Sequence, residues 1–279
     1  MGTLEGQVAL ISGAARGQGR NHAVRLAERG VDIITFDVTE SLATVPYGGA
    51  TEADLEETVR LVEAQGRRIV ARKADVRDLD AVRAVVDEGV GELGRLDIVI
   101  PNAGIASFAQ AREMADQMWK EMIDINLNGV WHTIHSALPH LKADGTGGSI
   151  VLIGSVASFK GIQNLVHYVA CKHALVGMTK ALAAELGPER IRVNLIAPGN
   201  VDTPMVVNEA TMSLILPEIE HPTREDAERE GSPFYDTQAL PTAWLEAQDI
   251  TNAILFLVSD EARFLTGAAI PVDAGYLLK

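Results

Sequence analysis

The chain has 279 residues, of which 47% are hydrophobic and 22% are charged, so it is long enough to bury the core of a single α/β domain. Its formal net charge of −14 would repel polyanions, which argues against nucleic acid and anionic membranes as partners. Its one cysteine, Cys171, cannot form an intrachain disulfide and suits a reducing compartment. Residues 1–17 lack the basic segment and cleavage site of a secretory signal, and no apolar stretch is long enough to span a membrane. We therefore expect a cytoplasmic protein.

Short β-branched runs alternate with amphipathic helical patterns along the chain. This alternation is typical of βαβ units, and the nearly continuous apolar character of the runs indicates strands that helices cover on both faces. The predicted strands are residues 7–12, 31–37, 68–74, 96–101, 149–154, 191–197 and 269–272. The predicted helices are residues 18–29, 53–65, 78–92, 114–142, 165–186 and 249–258. The pattern predicts an α/β fold in which residues 1–279 form one domain around a seven-stranded parallel sheet.

Two connections are longer than a strand-to-helix loop needs. We call residues 38–52, directly after the second predicted strand, the insertion, and about residues 199–248, after the sixth, the lid. Long loops at the carboxyl ends of parallel strands are where ligands bind in such sheets. The lid carries an acidic run at residues 218–231, which we expect to be solvated and mobile.

The lid also concentrates apolar side chains that suit a hydrophobic substrate, although packing in the core is the alternative. These side chains are Met205, Val206, Val207, Met212, Leu214, Ile215 and Leu216. They follow the sixth predicted strand, so they belong to the same edge of the sheet as the other candidate site residues.

The first predicted strand runs into the sequence SGAARGQG, and a helix is predicted to begin near Gln18. Gly13, Gly17 and Gly19 allow a tight turn and a close approach of the backbone, and the unpaired N–H groups at the start of the helix attract a pyrophosphate. A glycine-rich turn that serves only strand-to-helix packing is the alternative. The strand before the glycines and the helix after them favour a dinucleotide-binding Rossmann fold.

Asp37 ends the second predicted strand. A carboxylate at this point can accept both hydroxyl groups of the adenosine ribose and repels a 2′-phosphate, which favours NAD over NADP. Arg16, in the glycine loop, argues for NADP, because a cation there could pair with that phosphate. We expect Asp37 to determine the preference for NAD, since it lies nearer to the ribose. The alternative is that Asp37 only ends its strand at the solvent.

Tyr168 and Lys172 lie four residues apart in a predicted helix, so their side chains share one face. A phenol is a weak acid near neutral pH, but a nearby ammonium group lowers its pKa and favours proton transfer. Ser155 ends a predicted strand at the same sheet edge, where its hydroxyl could hold a substrate oxygen while Tyr168 exchanges the proton. Capping a helix or turn is the alternative role for Ser155.

These motifs, in this order and spacing, resemble the compact branch of the short-chain dehydrogenase/reductase family over nearly the whole chain. The similar segments are SGAARGQG, ADV at 74–76, PNAG at 101–104, INLNG at 125–129, YVACK, PGNVDT at 198–203 and SDEARFLTGAAIPVDAG. Pro101 and Ala274 stand where the family has asparagine and glycine, and neither is a catalytic position.

The resemblance implies a role for each matching residue. Ser155, Tyr168, Lys172 and Asn126 would be catalytic, and Asn126 would hold a water next to the lysine. The implied cofactor contacts are Gly13, Arg16, Gly17, Gln18, Gly19, Asp37, Asp75, Val76, Asn102, Ala103, Gly104, Tyr168, Lys172, Pro198, Gly199, Val201 and Thr203. The family's enzymes are usually tetramers, so we expect a homotetramer.

The insertion and the sequences LEETVRLVEAQGRR and LPTAWLEAQDITNAILFLVSDEAR are similar to the mycofactocin-associated subgroup, which includes carveol-dehydrogenase-like enzymes. That subgroup is associated with tightly held NAD and an external redox partner. Val45, Pro46 and Tyr47 could then fold over the adenosine, while Gly48 and Gly49 let the chain turn back. A disordered surface insertion is the alternative.

The combined residues predict an NAD-dependent oxidoreductase that interconverts a secondary alcohol and a ketone, on an apolar cyclic or terpenoid-like small molecule. Two alternatives remain: a catalytically silent NAD-binding regulator on the same fold, and a reductase of carrier-bound 3-oxoacyl groups. His132 and His135 are spaced like two metal ligands, but no third ligand has suitable spacing, so we expect no metal. Cys171 suits core packing better than redox chemistry.

Overall fold

The computed structural model describes residues 4–141 and 147–279, and its centre is a seven-stranded parallel sheet. The strands are β1 (Val8–Ser12), β2 (Asp32–Asp37), β3 (Ile69–Lys73), β4 (Ile98–Pro101), β5 (Gly148–Ile153), β6 (Ile191–Pro198) and β7 (Ala269–Val272). Their order across the sheet is β3-β2-β1-β4-β5-β6-β7, and every neighbouring pair is parallel. The predicted α/β fold and its seven strands are confirmed.

Helices cover the sheet and connect its strands. The described α-helices are α1 (Gly17–Ala27), α2 (Glu52–Glu63), α3 (Leu79–Leu93), α4 (Asp116–Ile123), α5 (Gly129–Ala137), α6 (Val166–Leu186), α7 (Glu209–Ile215), α8 (Arg224–Glu228), α9 (Pro233–Asp236) and α10 (Ala247–Val258). Thr51 and Asp54 form a capping box at the start of α2, which ends the insertion. Within the described part of the chain, no helix combines the length and apolar character needed to cross a membrane.

The strands are apolar because both faces of the sheet are covered. In β1, Val8 and Leu10 pack into one apolar cluster with side chains of α3, α5 and α6. Ala9 and Ile11 point to the other face and pack with side chains of α1 and α10. Successive residues of a strand point to opposite faces, so a strand buried on both sides is apolar throughout.

The strand order reverses between β1 and β4. The chain fills β2 and β3 on one side of β1, and then β4 to β7 on the other side. Loops that leave this point diverge to opposite faces, which opens a crevice at the carboxyl ends of the strands. Gly13, Asn102 and Ser155 all follow strands at this edge.

The prediction that residues 114–142 form one helix is wrong. α4 and α5 are separated by a π-helical turn, Asp124–Asn128, which contains Asn126. The hydrophobic periodicity does not reveal this turn, because a π turn adds a residue locally while the helical path continues on both sides. The predicted end of this helix, Lys142, lies outside the described residues.

The lid is folded and contains α7, α8 and α9. Met212, Leu216, Phe234 and Trp244 are buried in a small apolar cluster of the lid's own. The Trp244 indole N–H donates to the Glu228 carboxylate at 2.7 Å. Met212 and Leu216, two of the side chains considered for a substrate, therefore stabilise the lid instead.

Gly89 on α3 packs directly against β2. A Cβ at this position would lie 2.6–2.8 Å from side-chain atoms of Ile34. We expect Gly89→Ala to lower the free energy of unfolding by about 1–3 kcal/mol, because the added methyl group overpacks a buried contact. Urea denaturation measures the change.

Gly91 provides the matched control, because it lies on the same helix and a Cβ there would meet nothing within 4 Å. Gly91→Ala should raise the free energy of unfolding by about 0.5–1 kcal/mol through helix propensity alone. Equal stability of the two variants would contradict the proposed packing of α3 on β2.

Candidate active site

The turn after β1 brings two stretches of backbone very close together. Gly13 has a φ of +72°, and a Cβ on it would lie 2.7 Å from the Ala103 Cα. A Cβ on Gly19, in the first turn of α1, would lie 2.2 Å from the Gly13 carbonyl oxygen. These distances leave no room for a side chain. The glycines are therefore needed for the close packing of these backbone segments, in addition to any contact with a ligand.

Asn102 holds this turn from the neighbouring strand. Its side-chain amide donates to the Gly13 carbonyl at 2.9 Å and to the Ser12 carbonyl at 3.1 Å. The Ser12 hydroxyl accepts from the N–H groups of Asn102, at 3.1 Å, and of Ala103, at 3.2 Å. The ends of β1 and β4 are thus joined by four hydrogen bonds, which fix the floor of the crevice.

The first turn of α1 is suited to an anion. Its N-cap residue, Arg16, makes no side-chain cap, and the turn contains no acidic residue. Unpaired N–H groups and the helix dipole therefore favour a phosphate beside Gly17 and Gln18. Gly17 has a φ of +56° and faces Thr203, which follows β6 and closes the turn from the other side. The residues present fit a dinucleotide pyrophosphate.

Asp37 lies where β2 ends, and its carboxylate accepts from the Ala15 N–H at 3.0 Å. Burial raises the pKa of Asp37, while this hydrogen bond and the charge of Arg16 act against the rise. The Arg16 guanidinium donates to the Gly49 carbonyl at 3.0 Å and also to the Gly48 carbonyl. Arg16 is therefore engaged by the insertion, which weakens the case for its pairing with a 2′-phosphate.

Asp75 and Val76 follow β3 at one end of the crevice. Arg77 donates to the Asp75 carboxylate through its backbone N–H at 2.9 Å and through its guanidinium. Burial disfavours the Asp75 anion, yet these bonds hold its pKa below the ordinary value. The Val76 carbonyl lies 2.7 Å from Nδ1 of His132, so α5 supports this segment.

The insertion crosses the open side of the crevice. The Tyr47 hydroxyl accepts from the Ala106 N–H at 3.1 Å, in the segment that follows β4. The Arg16 guanidinium lies 6.0 Å from the centre of the Tyr47 ring, and Thr44 donates to Glu121 on α4. Contacts with three separate parts of the chain thus hold the insertion, which reaches beyond β4.

Tyr168 and Lys172 lie on one face of α6, beside the end of β5. The Lys172 ammonium is 5.4 Å from the centre of the Tyr168 ring and donates to the Ile153 carbonyl at 2.9 Å. Ser155 follows β5, and a hydrogen bond between the Ser155 hydroxyl and Tyr168 opposes the rise in the pKa of that phenol. The Ser155 hydroxyl accepts from the Ala157 N–H at 3.2 Å and caps a short 3₁₀ turn. The cap considered for Ser155 is therefore present, and its role in holding a substrate oxygen stays a prediction.

Burial controls the charges of this pair. It raises the pKa of Tyr168 to about 12, and the hydrogen bond from Ser155 opposes the rise. Burial also lowers the pKa of Lys172 to about 8. Each charge is costly alone, whereas a phenolate beside an ammonium is favoured because opposite charges at short range stabilise each other. The pair is therefore suited to exchanging one proton with a bound molecule.

Asn126 is buried in the π turn and holds the segment that follows β4. Its side-chain oxygen accepts from the Ile105 N–H at 2.9 Å, and its amide donates to the Ile105 carbonyl at 2.8 Å. The Asn126 side chain is therefore held by two bonds to one backbone segment, and its contact with a water beside Lys172 stays a prediction. The π turn explains how a residue within a helical region reaches a loop on the cleft wall.

One continuous cleft, of about 340 Å³, is lined by every residue predicted to be catalytic or to contact a cofactor. Of the apolar lid residues, Met205, Val206 and Ile215 also line it, whereas Leu214 is exposed. Further residues that the sequence did not predict also line the cleft: Ile105, Ala106, Phe108, Val156, Ile162, Leu165, Thr211 and Tyr276. The sequence offered no signal for them, because single residues in loops and short helices show no periodicity or motif.

Across residues 4–141 and 147–279, no three His, Cys, Asp or Glu side chains are grouped so that they could hold a metal ion. His135 stacks on Trp131, with 5.2 Å between ring centres, and does not join His132 in a site. Cys171 is buried, and its Sγ lies 3.6 Å from the Met122 carbonyl. These side chains take part in packing.

Comparison with known proteins adds independent findings. A family model described as short chain dehydrogenase matches residues 7–213. The chain is 51% identical, over 100% of both sequences, to a (-)-trans-carveol dehydrogenase of Rhodococcus erythropolis. It is 33% identical, over 98% of this chain and 96% of the relative, to a cyclohexanol dehydrogenase of Acinetobacter sp..

A solved structure is similar over the same extent. The crystal structure of carveol dehydrogenase from Mycobacterium avium in complex with NAD is 48% identical, with a TM-score of 0.97 and coverage of 100% of both chains. The matched residues include the glycine turn, the cleft floor and the pair Tyr168 and Lys172, so the resemblance read from the motifs is confirmed. This chain belongs to the short-chain dehydrogenase/reductase family.

Proposed function

We propose that this chain is an NAD-dependent dehydrogenase that interconverts secondary alcohols and ketones, on apolar cyclic or terpenoid-like substrates. The observation that carries the proposal is that Tyr168, Lys172 and Ser155 meet in the same cleft as the glycine turn. Relatives named for carveol and cyclohexanol, which are both cyclic secondary alcohols, support this substrate class.

The cleft suits NAD in an extended conformation. We assign the pyrophosphate to the turn between Gly13 and Gly19, and the adenosine ribose to Asp37. The remaining assignments are Asp75, Val76, Asn102, Ala103 and Gly104 for the adenosine half, and Lys172, Pro198, Gly199, Val201 and Thr203 for the nicotinamide half. Bound NAD supplies the acceptor, or in the reverse direction the donor, of a hydride.

The proton is the part of the reaction that the protein's own groups move. During oxidation, the Ser155 hydroxyl holds the alcohol oxygen and the Tyr168 phenolate takes its proton. Lys172 keeps the phenolate accessible, because its positive charge offsets part of the cost of burial. In the reverse direction, the Tyr168 hydroxyl donates its proton to the ketone oxygen.

The two alternative functions are not favoured. A silent NAD-binding regulator has no use for an ammonium buried beside a phenol, since burying both groups is costly. A reductase of carrier-bound 3-oxoacyl groups would have to attract an acidic carrier to a protein of net charge −14. The apolar side chains of Ile162, Leu165 and Met205 suit a small apolar substrate better.

We infer that the protein works in the cytoplasm as a homotetramer. Trp119 on α4, Trp131 on α5 and Phe264 after α10 are 40%, 39% and 88% exposed. Such large apolar side chains gain stability from contact with a second copy, which supports assembly. The single cysteine, buried at Cys171, supports a reducing compartment.

Tyr168→Phe tests the proposed chemistry. The change removes the proton carrier and keeps the ring, so turnover of cyclohexanol or carveol should fall by about 10²–10⁴-fold. NAD affinity, measured by calorimetry, should stay nearly unchanged. Tyr235→Phe in the lid is the control, because Tyr235 does not line the cleft. Activity of Tyr168→Phe within tenfold of the parent would refute the mechanism.

Lys172→Met tests the electrostatic role by its pH dependence. Alcohol oxidation needs the Tyr168 phenolate, so its rate rises with pH. Without the cation the pKa of Tyr168 rises further, so the pH range in which the oxidation rate increases should move to higher pH by about 1 unit or more. Lys180→Met, on the exposed face of α6, should leave this pH range in place. A profile unchanged by Lys172→Met would argue against this role.

We further propose that the insertion covers bound NAD and slows its release. Its hydrogen bonds cross from the glycine turn, through Arg16, to Ala106 beyond β4, so a molecule in the cleft lies beneath it. Covering a ligand acts mainly on its dissociation rate. A cofactor that stays bound must be reoxidised in place, which is why we also propose an external redox partner.

Purified protein should therefore carry nucleotide through gel filtration, detected by chromatography after heat denaturation. Replacing residues 39–50 with a short Gly-Ser turn should abolish retention, and Tyr47→Ala should weaken it. Pro46→Ala is the control, because Pro46 is exposed and does not line the cleft. If the parent elutes empty and exchanges NADH within the dead time of a stopped-flow mixer, the insertion does not retain the cofactor.

A further inference from the structure

Residues 273–279, which we call the β7 extension, turn back over the cleft instead of continuing away from the sheet. The Asp273 carboxylate is buried and accepts from the Gly275 N–H and the Leu277 N–H, both at 3.0 Å. These two bonds form a tight turn directly after β7. The turn brings Tyr276 into the lining of the cleft.

Sheet order shows which half of the cleft Tyr276 occupies. β7 is the outermost strand on the side of β5 and β6, and β3 is the outermost strand on the opposite side. The adenosine half lies towards β2 and β3, where Asp37 and Asp75 are found. A Cβ on Gly199, at the end of β6, would lie 2.9 Å from the Asp273 Cα, so the extension starts against the proposed nicotinamide turn. Tyr276 therefore belongs to the nicotinamide half of the cleft, which also contains Tyr168 and Lys172 and which we call the catalytic half.

The β7 extension is tied to the lid. The Ala274 carbonyl accepts from the N–H groups of Ala239, at 2.9 Å, and Leu240, at 3.0 Å. Ala274 has a φ of +51°, a conformation that disfavours every residue except glycine, so these contacts maintain a strained turn. A Cβ on Gly275 would lie 2.5 Å from the Ala239 Cβ, which shows how closely the two segments pack.

The Tyr276 ring is also held from the segment that follows β5. The Lys160 ammonium lies 5.0 Å from the ring centre, within range of a cation–π contact. Burial raises the pKa of Tyr276, so the ring stays neutral near neutral pH. The Lys160 contact thus holds one uncharged aromatic ring in the catalytic half of the cleft, and the lid holds the extension that carries this ring.

We propose that Tyr276 is a specificity-determining residue whose ring forms the end wall of the substrate site and limits the size of the alcohol that can reach Tyr168. This rests on the proposed function. Ile162, Met205 and Ile215 give that half an apolar surface beside its polar catalytic groups, and the Tyr276 ring adds to this surface. We assign this role to the ring and not to the hydroxyl, because the ring is the part of Tyr276 that the Lys160 contact positions.

The test compares Tyr276→Ala and Tyr276→Phe on three secondary alcohols of increasing size: cyclohexanol, carveol and decahydro-2-naphthol. Tyr276→Ala should lower kcat/KM for cyclohexanol by about tenfold, mainly through KM, and raise it for decahydro-2-naphthol by a similar factor, since pocket contacts of a few methylene groups are worth such ratios. Tyr276→Phe should keep the ranking of the parent. Leu278→Ala is the matched control, because Leu278 lies on the same extension, is 83% exposed and does not line the cleft.

Four further measurements distinguish the possible outcomes. NAD affinity and the melting temperature of each variant show whether the fold and the cofactor site are intact. If Tyr276→Ala is unstable, Lys160→Met releases the ring without removing it and should raise the KM for cyclohexanol by a smaller factor. Binding of the corresponding ketones to the NADH-loaded protein, by calorimetry, reports the same size preference without turnover.

Each outcome then has one meaning. If a stable Tyr276→Ala variant ranks the three alcohols, or the three ketones, as the parent does, the Tyr276 ring does not limit substrate size and the proposal is wrong. If Tyr276→Phe changes the size preference as much as Tyr276→Ala does, the proposal is also wrong, because the hydroxyl and not the ring would then determine that preference. Failure of the parent to oxidise any of the alcohols, while it still binds ketones by size, would overturn the proposed function and leave the wall supported.

Discussion

The close contact between the ends of β1 and β4 is the constraint on which the site depends. Asn102 bonds the Gly13 carbonyl, and the Gly13 backbone lies so near Ala103 that neither side has room for another atom. This contact forms where the strand order reverses, so the floor of the cleft and the start of α1 are fixed together. A phosphate-binding turn needs such rigidity, because its N–H groups must already point at the ligand before it arrives.

The catalytic pair depends on burial in a different way. The cost of burying a lone charge raises the pKa of Tyr168 and lowers that of Lys172. The two side chains share a face of α6 beside the end of β5, with the Lys172 ammonium 5.4 Å from the centre of the Tyr168 ring, so a charge on one can compensate a charge on the other. Ser155 adds a hydrogen bond that favours the phenolate. A site that needs one mobile proton is thus assembled from groups that are costly when ionised separately.

Irregular segments close the cleft, and hydrogen bonds to backbone fix each of them. Tyr47 of the insertion meets the Ala106 N–H, Asn126 of the π turn holds Ile105, and the lid meets the β7 extension at Ala274. Backbone partners set the position of a segment without specifying the side chains that face the ligand. This arrangement lets the walls vary in substrate preference while the sheet and the catalytic pair remain unchanged.

The sequence by itself determined the features that depend on neighbours along the chain. Apolar runs that alternate with helical patterns predicted all seven strands. The glycines after β1 predicted the phosphate-binding turn, and the spacing of Tyr168 and Lys172 placed both on one helix face. Tertiary structure alone decided the π turn at Asn126, the burial of Met212 and Leu216 inside the lid, the bond between Tyr47 and Ala106, and the position of Tyr276 on the cleft wall. Periodicity and spacing record contacts within an element, whereas a contact between distant segments exists only after the sheet has brought them together.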